Sequence, residues 1–298
     1  MTPTKAPRIT HPEKVLFPRD GYTKADVVAY YKAVSDAILT YMRGHPIAML
    51  RFNQGIDGDR FFFKQAPDYF PGFIDRVEVP KAKGTTTYAV VNNVNALLYI
   101  ANLNCIEFHL LGVRANDLRH PDRMVFDLDP TTEDFEEVRR TAKSLRDLLD
   151  EFGLASFVMT SGSRGLHIWV PLDRRTPIDD VLDFSATVAK VLVSRDPDTL
   201  TLEFSKDKRG DRIYVDVARN APSQHAVAPY SLRAKDHAPV ATPIDWDELD
   251  DPAIGPQSHT LATVPERLKE RGDAWKGMSK KAKSLQRALV KLERLAAD

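Results

Sequence analysis

The sequence predicts a mixed α/β fold, and three observations carry that prediction. Short runs with strand character alternate with stretches whose apolar residues recur at helical spacing. Several strand runs come in close-set pairs, so antiparallel hairpins are expected and a purely parallel sheet is not. The chain has 298 residues, 43% apolar and 28% charged, enough to bury a sizeable core and unlike the composition of a disordered chain. A single domain over residues 1–298 is expected, with a core over about 10–262 and a helical tail over about 263–298.

The first element is a helix over residues 23–43. Thr23 and Asp26 have capping-box spacing, Val27, Tyr30, Val34, Ile38 and Tyr41 keep helical spacing, and Gly44 and Pro46 stop it. Strands follow at 47–52 and 60–64, and a short helix over 92–103 feeds a strand at 105–110. Residues 124–129 form a strand, and 131–152 a helix capped by Thr131 and ended by Gly153. Strands at 156–160 and 166–170 are joined by a glycine turn. Thr176, Pro177 and Asp179 open a helix that runs to about Val193, and 213–218 is a strand. Five prolines between Pro239 and Pro265 mark an irregular connection. The last helix, over about 279–296, carries Ala282, Leu285, Leu289 and Leu292 on a stripe that should dock on the core.

Several classes are excluded early. The single cysteine, Cys105, rules out an internal disulfide framework and any multi-cysteine zinc site. No apolar run reaches the roughly 18 residues of a membrane span, and the first residues lack the apolar stretch of a secretory signal. A cytoplasmic protein without membrane partners is expected. The 42 basic and 42 acidic residues cancel, so the chain is not a polycation. The charge is segregated, however: residues 127–137 carry −6, residues 276–294 carry +6 and residues 5–24 carry +3. An acidic focus with basic segments elsewhere suits an enzyme that holds cations and handles phosphates. Solvated helix faces would give the same tally.

Met124-Val-Phe-Asp-Leu-Asp-Pro130 is the sharpest local signal. Strand side chains alternate, so Asp127 and Asp129 share one face while Phe126 and Leu128 point to the core. Two carboxylates at a strand end suit a hard cation such as Mg²⁺ or Mn²⁺, although a solvated strand end entering a turn reads the same. Asp216, within Arg212-Ile-Tyr-Val-Asp-Val-Ala218, adds a carboxylate among apolar neighbours, where an unpaired charge is expensive. Three such aspartates could hold two metal ions; a salt bridge from Asp216 to Arg212 or Arg219 is the plainer reading. In the turn at 160–172, Gly162 and Gly165 allow close backbone approach, while Ser161, Arg164 and His167 offer phosphate ligands.

Two phosphate chemistries fit these motifs. Phe126-Asp-Leu-Asp-Pro-Thr131 matches the signature of haloacid-dehalogenase-type phosphatases, in which Asp127 would be the nucleophile. That signature normally opens its domain, whereas here a long stretch precedes it. The other reading accounts for more of the chain. In His11-Pro-Glu-Lys-Val-Leu-Phe-Pro18, Thr23-Lys-Ala-Asp-Val27, Phe62-Phe-Lys-Gln-Ala-Pro67, His120-Pro-Asp-Arg-Met-Val-Phe-Asp-Leu-Asp-Pro130, the 160–172 turn, Tyr214-Val-Asp-Val-Ala-Arg-Asn220 and Val227-Ala-Pro-Tyr-Ser-Leu-Arg233, taken in order, the chain resembles the polymerase domain of bacterial end-joining ligase D. That family is a branch of the archaeo-eukaryotic primase superfamily.

The resemblance implies a primase-polymerase core with mixed or antiparallel sheets flanked by helices, plus a C-terminal helix. It implies that Asp127, Asp129 and Asp216 are the catalytic triad, binding two Mn²⁺ or Mg²⁺ ions. It implies that His109, Ser161, Arg164, His167 and Arg233 grip a ribo- or deoxyribonucleoside triphosphate, with Arg164 replacing the family's usual lysine. Lys14 and Lys24 match the pair that recognises a DNA 5′-phosphate, and Lys24 lies in a first helical turn, where the dipole also favours an anion. Phe62 and Phe63 match the template-stacking pair; alternation makes one of them core, and Phe63 is the expected stacker. Expected partners are gapped or broken DNA, the Ku end-binding protein or a separate DNA ligase, with nucleoid association and a role in end joining or gap filling.

The chain ends soon after the polymerase region, so a stand-alone polymerase or an excised domain is expected. The segment 79–87 lies where end-joining members carry a break-bridging loop, and it is short and polar, which favours gap filling over bridging. A phosphatase, or a non-catalytic DNA-end binding module, is the alternative.

Overall fold

The structure, a computed structural model, describes residues 8–81 and 83–295. The expectations for the extreme N-terminus, for Ala82 and for the end of the last helix at Ala296 lie outside the described residues. In chain order the elements are β1 (Val15–Phe17), β2 (Tyr22–Thr23), α1 (Lys24–Ala33), α2 (Ser35–Met42), β3 (Pro46–Phe52), β4 (Arg60–Phe63), β5 (Asp75–Pro80), β6 (Thr85–Val90), α3 (Val94–Asn102) and β7 (Cys105–Leu111). There follow β8 (Arg123–Asp129), α4 (Phe135–Glu151), β9 (Phe157–Thr160), β10 (Leu166–Pro171), α5 (Ile178–Arg195), β11 (Leu200–Thr201), β12 (Ile213–Asp216), β13 (His225–Val227), β14 (Thr242–Ile244), α6 (Val264–Arg271) and α7 (Gln286–Leu295). The chain forms two compact units. The first takes the residues up to Leu111 with His225–Thr242 and Gln257–Asp273; the second takes Gly112–Gln224, Pro243–Pro256 and the residues from Ala274 onward.

The first unit is built on a sheet of order β13-β7-β3-β6-β5, with β4 also paired to β3, and every one of these pairings is antiparallel. The helix predicted over 23–43 is two helices. The predicted capping box is present, with Thr23 Oγ1 accepting the Asp26 N–H and Asp26 Oδ2 accepting the Thr23 N–H at 2.7 Å. At Val34 the backbone leaves helical geometry (φ −96°, ψ 8°), where a β-branched residue is followed by Ser35, both of modest helix propensity. The bonds Val34 N–H to Tyr30 O and Ile38 N–H to Val34 O, each 3.0 Å, carry the chain through the kink. The segment read as short and polar carries hairpin pairing in its described residues: β5 pairs with β6 through Val79–Thr86 and Pro80–Thr85, and Lys81 N–H donates to Gly84 O at 3.0 Å. The single cysteine, Cys105, is fully buried on β7.

The second unit holds a sheet of order β11-β12-β8-β10-β9-β14, in which β12, β8, β10 and β9 are successively antiparallel and β11 runs parallel to β12. One face is apolar. Met124, Phe126 and Leu128 of β8, Leu166, Ile168 and Val170 of β10, and Ile213 and Val215 of β12 join one buried cluster with Val138, Ala142, Leu145 and Leu149 of α4 and Val181, Phe184 and Val188 of α5. The intervening residues of these strands therefore point to the other face.

Two helix ends differ from expectation. Helix α4 is capped by Asp134, whose Oδ1 accepts Glu136 N–H at 3.0 Å, and not by Thr131, whose hydroxyl donates to Arg212 O at 3.1 Å. The last helix starts at Gln286 rather than near 279, since Lys283 forms a bridge with Leu172 beyond the end of β10. Of the predicted stripe, Leu285 and Leu292 bury on the core and Leu289 packs against it partly buried, while Ala282 and Leu285 lie ahead of the helix; Ala288, outside the stripe, is buried as well. Two bases of the C-terminal run close the end of α4: Lys283 Nζ donates to Gly153 O at 2.7 Å and Lys291 Nζ to Glu151 O.

Candidate active site

Three adjacent strands of the second unit set the site by their register. Asp216 of β12 pairs with Asp127 of β8, and Asp127 with His167 of β10, so the three side chains form a row on the face away from the apolar cluster. Asp129, two residues along β8, shares that face opposite Tyr214. The strand predicted over 213–218 ends at Asp216 because Asp216 Oδ1 accepts the Ala218 N–H at 2.8 Å and turns the chain into a short helical turn, Ala218–Asn220. Asn220 clamps that turn to β8, accepting the Val125 N–H and donating to Val125 O, both at 2.8 Å.

Each carboxylate meets a basic group. His167 Nε2 lies 3.3 Å from Asp127 Oδ1, and Arg219 spans Asp127 Oδ2 at 3.3 Å and Asp216 Oδ2 at 3.2 Å. Asp129 sits between Arg164 and Arg209, each at 3.1 Å. Arg209 is fixed, donating to Glu203 O and Phe204 O and lying over the Tyr214 ring at 4.1 Å. Burial pushes the Asp216 carboxyl above its ordinary range; Arg219 opposes that push, and the charge of Asp127 reinforces it.

Among the described residues, no three Asp, Glu, His or Cys side chains converge as a ready metal cage. The donor chemistry nonetheless fits a hard divalent cation at the Asp127–Asp216 pair. The ligands are all oxygen, and they come from directly opposed residues that repel one another. Asp129 engages one carboxylate oxygen with each of its two arginines.

The turn beside this row is shaped by Ser161 and two glycines. Ser161 Oγ accepts the Ser163 and Gly165 N–H groups, both at 3.1 Å, so its hydroxyl builds the turn. Gly162 takes a left-handed φ of 62°, and a Cβ on Gly165 would stand 1.7 Å from Leu128 O. Arg164 is the half-exposed cation of the turn. The buried Nδ1 of His167 has no hydrogen-bond partner among the described residues.

The remaining site residues of the sequence reading fall in the first unit. His109 Nε2 and Arg233 Nε both meet Glu107 Oε2, at 2.9 and 3.1 Å, and the Ala234 N–H donates to Glu107 Oε1 at 2.9 Å. Burial raises the Glu107 carboxyl, but Arg233, His109 and the Ala234 N–H outweigh it and hold it at about 2. The expectation that Phe62 or Phe63 is core is corrected. Phe62 is 48% exposed, edge-on to His109 at 5.6 Å and to His225 at 5.8 Å, and Phe63 is half-buried with Arg51 over its ring at 5.1 Å. Strand β4 pairs with β3 and is not packed over on both sides, so neither ring is enclosed.

Lys14 and Lys24 come together through the bond from Lys24 N–H to Lys14 O, 2.7 Å. Lys24 is buried, donates to Thr10 Oγ1 at 3.4 Å, and is pushed below its ordinary pKa by burial and then by the charge of Lys14. The first N–H groups of α1 are taken by Lys14 O, Pro12 O and Thr23 Oγ1, so any anion here meets lysine side chains rather than the helix end.

Sequence reasoning passed over Glu107 and Arg209. Glu107 stands two residues before His109, but its partner Arg233 is 126 residues away. Arg209 is 80 residues from Asp129, with no local signal. Arg219 was legible three residues after Asp216, though only as a salt-bridge partner.

The fold places the chain among polymerase domains. It superposes with a TM-score of 0.87 on the solved "Polymerase Domain from Mycobacterium tuberculosis Ligase D in complex with DNA", at 32% identity, covering 94% of this chain and 100% of that one. Residues 23–275 match the family described as LigD, primase-polymerase domain, and the chain belongs to that family. Its relatives include the multifunctional non-homologous end joining protein LigD of Mycobacterium bovis, 35% identical over 89% of this chain and 36% of the relative. The bifunctional LigD of Bacillus subtilis is 28% identical over 89% and 43%. The chain thus spans about a third to two fifths of the length of these relatives. The family match overturns the phosphatase alternative. No helix among the described residues is long and apolar enough to cross a membrane.

Proposed function

We propose that the chain is a template-directed nucleotidyltransferase that fills short gaps in DNA during repair, dependent on divalent cations. The observation that carries this reading is the row Asp216–Asp127–His167 with Asp129 on the same face. Asp127, Asp129 and Asp216 would hold the cations, which when bound supply charge to activate a primer 3′-hydroxyl and stabilise the leaving pyrophosphate. His167, at the end of that row, and Arg164, beside Asp129, are donors for the triphosphate, and Ser161 positions Arg164 by holding the turn. In the first unit, Glu107 orients His109 and Arg233 for the nucleotide, and the exposed ring of Phe62 offers a base-stacking platform. The close pair Lys14 and Lys24, in which burial and then the like charge of Lys14 depress the pKa of Lys24 despite the nearby Glu13, supports recognition of a 5′-phosphate on the far side of the gap. The names of the relatives support a role in non-homologous end joining; Ku or a ligase as partners, and the use of ribonucleotides, are part of the same proposal.

The test is extension of a labelled primer on a short-gapped, 5′-phosphorylated duplex with Mn²⁺ and either ribo- or deoxynucleotides. Asp127→Ala is expected to abolish extension and leave gap binding largely intact. Continued extension by that variant overturns the mechanism.

A further inference from the structure

Arg219 holds the carboxylate row by two ion pairs at once, to Asp127 Oδ2 and Asp216 Oδ2. These are oxygens of the pair best suited to a divalent cation. A guanidinium on both is a monocation in the position where a dication would act, and the two cannot share those oxygens at full strength.

The other arginine in the second unit that is buried against the row is built differently. Arg209 is 5% exposed in its side chain, bound to two backbone carbonyls and stacked on Tyr214. Arg219 is 38% exposed in its side chain, and among the described residues its ion pairs are to these two carboxylates, with Tyr214 close enough to interact. Its backbone is nevertheless anchored, because the neighbouring Asn220 side chain is bonded to Val125, Ser185 and Val217. A long cationic side chain on a fixed base, open to solvent on one side, can leave the row without disturbing the sheet. The pairing of β12 with β8 stands on backbone bonds and the Asn220 clamp and does not need Arg219.

We infer that Arg219 is an internal counter-ion of the Asp127–Asp216 pair that a divalent cation must displace, so that this one side chain sets how much metal the site requires. The inference rests on the metal-dependent reading above. It makes Arg219 a positioning residue: it keeps the two carboxylates compatible while no cation is bound, and it weakens the first cation's binding by competing for the same oxygens.

The experiment is a Mn²⁺ titration of the full chain, without DNA or nucleotide, read from the electron paramagnetic resonance signal of free Mn²⁺. Arg219→Gln is expected to bind Mn²⁺ about tenfold more tightly than wild type, about 1.4 kcal/mol. Arg219→Lys keeps the charge but reaches one carboxylate at a time, so its affinity is expected to fall between the two. Metal-free Arg219→Gln is also expected to melt below wild type, with the deficit removed by Mn²⁺. Unchanged or weaker affinity in Arg219→Gln, with Asp216→Asn abolishing binding, overturns the inference and leaves the metal site standing. Binding that Asp216→Asn does not alter overturns the metal reading itself. Should Arg219→Gln not fold, Arg219→Lys decides alone, and no gain over wild type overturns the inference.

Discussion

Glu107 is the residue at which burial and pairing pull hardest against each other. Its carboxyl, ordinarily near 4.5, is held at about 2 in the folded chain, against the cost of its burial. Folding thus favours the ionised form. The stability this contributes is complete above about 4.5 and is lost as pH falls from there through about 2. Glu107→Gln should lose on the order of 2–3 kcal/mol at neutral pH, because Arg233 and His109 are left without their carboxylate. Melting curves at stepped pH should show the gap between variant and wild type closing toward pH 2. A gap that stays constant with pH would refute the assignment. At this scale the sequence revealed what is local. The shared face of Asp127 and Asp129 follows from strand alternation alone, and Asp216 stood out as a charge among apolar residues. Glu107 was invisible because what makes a buried carboxylate useful is a partner from a distant strand or loop.

Elements were legible where their boundaries are written in adjacent residues. The capping box at Thr23, the glycine stop at Gly153 and the acidic strand all lie where periodicity places them. Boundaries decided by tertiary competition were not. Thr131 is held away from the start of α4, its hydroxyl donating to Arg212 O, and the last helix starts late because Lys283 is drawn into a bridge. The kink at Val34 likewise needs no proline or glycine, only two modest helix formers in a buried setting. The turn at 161–165 is where element geometry bears most directly on the site. Gly165→Ala forces its new Cβ against the Leu128 carbonyl, a backbone group that cannot rotate away. A loss of about 1–3 kcal/mol is expected, together with reduced extension as Arg164 shifts with the turn. Gly153→Ala, at a left-handed φ of 71° but in open space, should cost about 1 kcal/mol and leave extension unchanged. Equal effects of the two substitutions on extension would refute the packing argument.

Across the whole molecule, basic and acidic residues balance, so affinity for DNA must come from local groups. The most basic stretch contributes less than its charge suggests, since Lys283 and Lys291 are occupied with the end of α4. That leaves Lys14 and Lys24 as the pair with most leverage on a phosphate. Lys24→Ala should erase the preference for a 5′-phosphorylated over an unphosphorylated gap, and should lower the salt dependence of binding by about one phosphate contact. Fluorescence anisotropy at stepped salt reads both quantities, and an unchanged affinity ratio would sink the role. The buried position of Cys105 has a practical side. Thiol-directed dyes need an accessible thiolate, and this thiol is both enclosed and pushed to higher pKa by its burial. A lone cysteine introduced at Phe204, 77% exposed, would then carry a fluorophore at one defined position in the natural sequence background. The motion of that segment could be followed as single molecules of the protein meet a gap.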